Sequence, residues 1–87
     1  MKVLVKFVGS PYVITGIVDT WLVFDKNEIT VRELLTKLEI ERGVKFTLEI
    51  DSIVVLVNGR RIEFMGGLDA KLKDSDEIVV ASIVGGG

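Results

Sequence analysis

The chain has 87 residues, 48% apolar and 28% charged, with 11 Lys and Arg against 13 Asp and Glu for a net charge of −2. That length holds one core and no cleft between two lobes, and the apolar share is that of a folded globule. Zero Cys and zero His exclude a thiolate nucleophile, a Ser-His pair, an ordinary zinc site and a disulfide framework, which removes most autonomous enzyme mechanisms.

From the N-terminus, Met1, Val3, Val5 and Phe7 alternate with Lys2, Leu4, Lys6 and Val8, the period of a half-buried strand. Gly9-Ser10-Pro11 breaks it, and Gly16 to Phe24, rich in β-branched and aromatic residues, reads as the returning strand of a hairpin with a long connection. Asp25 to Glu28 closes that hairpin. Thr30-Val31-Arg32-Glu33 is a capping box, with Ile29 and Leu34 spaced for a hydrophobic staple. Val31, Leu34, Leu35 and Leu38 then follow the i, i+3, i+4, i+7 stripe, Ile40 lies off it, and Gly43 supplies a left-handed stop. A helix from Val31 to Arg42 is the expectation.

Ile53 to Val57 is apolar at every position, as a central strand covered on both faces is, and Asn58-Gly59 is a hairpin turn returning through Arg60 to Phe64. Met65-Gly66-Gly67 reads as a tight turn, because no Lys-Ser/Thr follows to make a phosphate cradle. Leu68 to Leu72 reads as one helical turn, Asp74-Ser75-Asp76 as a turn, and Glu77 to Ala81 as the last strand. First and last strands of this apolarity pair at a sheet centre with the helix across one face: an α+β, β-grasp arrangement of four to five strands. Residues 1–81 form that domain and 82–87 its tail.

The tail ends in Gly85-Gly86-Gly87. Ordering glycine costs the most backbone entropy, so such a run adds no stability; its use is steric, a terminus without Cβ atoms that threads a narrow channel. Extended, Ala81 to Gly87 reaches roughly 23 Å at about 3.3 Å per residue. A frayed end or an expression scar is the alternative, and from the tail alone both stand. Alternation puts Leu4, Val54, Leu56, Val79 and Ala81 on the sheet face away from the helix, where they form either an exposed docking surface or a patch covered by a loop. Lys2, Lys6, Arg60 and Arg61 are the nearest approach to a basic cluster and read as a solvated face, with a basic docking patch as the alternative; nothing in the charge balance suggests nucleic acid or an anionic membrane as partner. With no transmembrane or signal-peptide pattern, the expected location is the cytoplasm.

Taken together, Val57-Asn58-Gly59, Gly67-Leu68-Asp69, Leu72-Lys73-Asp74-Ser75-Asp76-Glu77-Ile78 and the terminal Gly86-Gly87 resemble the MoaD and ThiS family of ubiquitin-like sulfur carriers. Phe7-x-Gly9, Gly16 and the capped helix extend the resemblance over nearly the whole chain, with Ser82-Ile83 where proline is frequent, an extra Gly85 and a shorter segment from Val44 to Ser52. The resemblance implies a carrier rather than an enzyme, binding no cofactor itself. It implies that a ubiquitin-activating-type enzyme uses ATP to adenylate the carboxylate of Gly87, which then becomes a thiocarboxylate. For a small subunit of molybdopterin synthase, the implied partner is the large subunit, and the sulfur enters molybdenum cofactor biosynthesis. The alternatives it implies are a small archaeal modifier joined through Gly87 to lysines of target proteins, or a carrier for thiamine or tRNA thiolation.

Overall fold

The computed structural model describes residues 1–43 and 52–82. Strand β1, Lys2–Val8, buries Val3, Val5 and Phe7 on one side, as its alternation requires. Gly9, at φ 72°, turns the chain into a short helix α1, Ser10–Thr15, which ends at the left-handed Gly16 with its N–H on the carbonyl of Tyr12. The sequence reads this stretch only as a connection; the helix takes up the residues between Gly9 and Gly16 and confines strand β2 to Asp19–Val23. A three-residue strand β3, Glu28–Thr30, leads directly into helix α2, Val31–Arg42.

Helix α2 has the expected bounds and caps. Thr30 Oγ1 accepts from the Glu33 N–H at 3.1 Å, the Glu33 carboxylate accepts from the Thr30 N–H at 3.3 Å, and Gly43 closes the C-terminus in the left-handed region. Val31, Leu34, Leu35 and Leu38 are fully buried and Ile40 is exposed, so the stripe faces the sheet. Strand β4, Ile53–Val57, turns through Asn58 (φ 51°) and Gly59 (φ 84°), the pair of positive φ values that a type I′ hairpin needs. The return strand β5 is only Arg60–Arg61; Ile62–Phe64 coils into a 3-10 turn that buries Ile62. A second 3-10 turn, Gly67–Asp69, follows, and strand β6, Lys71–Lys73, replaces the helical turn expected over Leu68 to Leu72. Its Leu72 pairs with Ile29 of β3, and both are buried against α2's side of the core.

The last strand, β7, spans Glu77–Ser82, one residue past the expected end of the domain. The main sheet has the order β2-β1-β7-β4-β5, with β7 parallel to β1 and antiparallel to β4. Strands β3 and β6 form a separate small ladder. This is the β-grasp, ubiquitin-like arrangement, with one core between the sheet and α2. Strand β4 is not covered on both faces as its composition suggests. Ile53, Val55 and Val57 are buried, whereas Val54 and Leu56 are half-buried on the side away from α2. Among the described residues, no helix is long and apolar enough to cross a membrane.

Candidate functional site

Strand β7 lies between β1 and β4, so both its edges are hydrogen-bonded, and Ser82 ends it opposite Ile53. The five residues from Ile83 to Gly87 follow, so Gly85, Gly86 and Gly87 lie outside the described residues. Beside this root stands Gly9: a Cβ there would fall on the Ser82 hydroxyl and lie 3.3 Å from Ser82 Cβ, at a φ that disfavours any side chain. Only glycine lets β1 turn away while the tail strand passes this close.

The other end of β7 is tied by side chains. Asn58 Nδ2 donates to Asp76 Oδ1 at 2.9 Å, and Asn58 Oδ1 accepts from the Glu77 N–H at 2.9 Å. Asp76 Oδ2 also accepts from the Lys73 N–H at 2.8 Å, and Asp74 Oδ1 from the Lys2 N–H at 2.8 Å. The Ser75 N–H completes the turn by donating to the Lys2 carbonyl at 2.7 Å. The starts of β1 and β7, the end of β6 and the β4–β5 turn thus meet at Asp74-Ser75-Asp76. The Lys2 N–H holds the Asp74 carboxyl below its ordinary range, since a hydrogen bond from an amide favours the charged form.

The register collects the five expected surface residues on one face. Val54 is opposite Ala81 and Leu56 opposite Val79, while Leu4 lies one row lower, opposite Glu77. All five are half-buried. Three further residues share the face: Val8 opposite Ala81, Trp21 opposite Leu4, and Val23 opposite Lys2, with Trp21 52% and Val8 54% exposed. Sequence reasoning missed Trp21 and Val23 because the start of β2 was uncertain, although their alternation with the buried Leu22 carries the signal, and it set Val8 on the side of Leu4 without counting it in the face. Charge on this face is locally neutralised. Lys6 pairs with Glu77 at 3.4 Å, and the Lys2 ammonium sits 4.9 Å from the Trp21 ring centroid.

The other two basic residues are engaged elsewhere: Arg61 pairs with Glu63 at 2.6 Å, and Arg60 donates to the Phe64 carbonyl at 3.4 Å. Each of the four cations is therefore engaged with a group of the chain itself.

A family model for ThiS proteins matches residues 5–87. The chain belongs to the ThiS family. Among solved structures, it is similar to small archaeal modifier protein 1 from Methanosarcina acetivorans, at 26% identity and TM-score 0.78 over 99% of this chain and 96% of that one. It is also similar to a chain of the BexX/CysO complex from Amycolatopsis orientalis, at 26% identity and TM-score 0.70 over 98% and 99%. A third likeness is to a chain of the complex of subunits 1 and 2 of the molybdopterin-converting factor from Helicobacter pylori 26695, at 26% identity and TM-score 0.67 over the full length of both. Comparison with curated proteins returned no match.

In this ThiS-family chain, the residues that carry the sequence resemblance have structural work. Asn58, Asp74 and Asp76 lie at the start of β7, a strand's length from the tail: about 20 Å for six residues at about 3.3 Å each. They fix the start of β7, the end of the strand opposite Ser82. Among the described residues no cluster of acidic side chains is arranged to hold a metal ion.

Proposed function

We propose that this ThiS-family chain is a sulfur carrier whose reacting group is the α-carboxylate of Gly87. The single observation that supports this most is that the family match runs through Gly87, beyond a central strand paired with β1 as far as Ala81 and with β4 as far as Ser82. The domain is then a rigid handle and the tail its working end. The free carboxylate is ionised at neutral pH, its ordinary pKa being about 3.3–3.7, and resonance makes it a poor electrophile. A ubiquitin-activating-type enzyme supplies the remedy. A carboxylate oxygen attacks the α-phosphorus of ATP, pyrophosphate leaves, and the acyl adenylate carries AMP as leaving group. A hydrosulfide-equivalent donor then forms the C–S bond as the C–O bond to AMP breaks, leaving a thiocarboxylate. The chain's part in these steps is to present a slim terminus and a docking face.

Leu4, Val54, Leu56, Val79 and Ala81, joined by Val8, Trp21 and Val23, form that face. Its partners are the activating enzyme and the sulfur acceptor, and the setting is the cytoplasm. The likeness to a chain of the molybdopterin-converting factor complex favours molybdenum cofactor synthesis, with a large subunit as acceptor. A second reading has its own support in the likeness to small archaeal modifier protein 1: attack by a lysine amine on the same adenylate, giving an isopeptide. Intact-mass analysis of the protein from its native host separates the two. Exchange of one oxygen for sulfur at Gly87 supports the carrier, and a lysine of another protein branched with this chain supports the modifier.

A further inference from the structure

The apolar open face does not stop at the sheet. Val8, its last residue on β1, also lines a shallow recess of about 270 Å³ around the sheet's end, with Phe7, Gly9, Tyr12 and Val18. Val18 is 63% exposed and Tyr12 45%, so two large apolar side chains stand in water beside α1. From Phe7 to Val18 the chain holds no charged residue. Gly9 belongs both to the wall of this recess and to the close approach against Ser82, which sets the recess at the root of the tail.

Chain length decides what meets this surface. Beyond Ser82, five residues extend at most about 17 Å at about 3.3 Å per residue. Any protein that takes Gly87 into a covered active site must therefore bring its channel mouth against the surface around Ser82. On the α1 side, that surface is the recess. We infer that the recess of Val8, Tyr12 and Val18 is a contact for the adenylating protein that receives the tail, a specificity-determining collar continuous through Val8 with the sheet face. This rests on the function proposed above. The matching element on the partner is apolar and uncharged, because an ionic group seated there finds no counter-charge in the recess and loses its hydration.

The test is ATP–pyrophosphate exchange by the activating enzyme of the chain's own host, with the full chain as substrate. Tyr12→Asp and Val18→Asp are expected to raise the KM for the carrier about tenfold each with kcat unchanged, the loss of a central aromatic or aliphatic contact. Tyr12→Ser and Val18→Ser, which remove apolar area without adding charge, are expected to follow in the same direction, and an unchanged melting temperature excludes misfolding. The rise is expected to persist at high salt, while Ile40→Asp, on the exposed face of α2, leaves KM unaltered. Wild-type KM values in all four variants, or an equal rise in Ile40→Asp, overturn the collar while the carrier reading survives. Absence of exchange with the unmodified chain overturns both.

Discussion

At Asn58 one side chain closes two turns: its backbone takes the positive φ of the β4–β5 hairpin, and its amide bridges Asp76 and the Glu77 N–H. Asn58→Ala removes both hydrogen bonds and puts a Cβ-bearing residue without a compensating side chain at φ 51°, so stability should fall by about 2–3 kcal/mol in urea unfolding. Asn58→Gly relieves the φ cost and should lose less. Asp74 adds a pH dependence. Its carboxyl is held below the ordinary value of 3.8, so the folded state is favoured above that value and loses the advantage as the pH falls through the lower folded-state pKa. Asp74→Asn should thus destabilise the protein at neutral pH, with the gap to the parent closing as the pH drops below 3.8; a constant gap across the acid range would remove Asp74 from this role. Both residues were legible as turn formers from composition. The pairing of Asn58 with Asp76 was not, because the two are 18 positions apart and only the strand register brings them together.

Among the elements, α2 was readable to the residue because its signals are local: a cap, a stripe and a glycine stop within fourteen positions, Thr30 to Gly43. Thr30→Ala should cost about 1 kcal/mol by thermal unfolding and leave partner binding untouched. Glu33 also accepts from Lys26 at 2.8 Å, which with the cap holds its carboxyl below the ordinary range. Helix α1 escaped notice for the opposite reason. It has six residues, no side-chain cap and a proline in its first turn, and its place is set by packing against β1 and β7. Strands β3 and β6 are three residues each and exist by pairing with each other. Gly9→Ala tests the joint between α1 and the tail strand. Strain at φ 72° and the collision with Ser82 should lower stability by about 1–3 kcal/mol, with hydrogen exchange rising first at the end of β7.

On the scale of the molecule, alternation placed Leu4, Val54, Leu56, Val79 and Ala81 on one face, and the register added Trp21, Val23 and Val8. What the sequence alone left open was whether that face is covered, a matter of which segments cross it and not of the strands themselves. Val79→Asp, in the middle of the face between Lys6 and Leu56, should abolish partner binding by calorimetry while the melting temperature moves little, because the side chain is half-buried and outside the core. A conjugate, if the chain is a modifier, would carry a long tryptic remnant. Lys73 is the last cleavage site, so residues Asp74 to Gly87 stay on the target lysine.

All of this converges on the terminal carboxylate, and ATP–pyrophosphate exchange by the host's activating enzyme reads it most directly. The parent chain should support exchange, and a chain lacking Gly87, or carrying Gly86→Trp, should support none while unfolding at the parent's temperature. Exchange undiminished in those two variants would contradict a reacting group at Gly87.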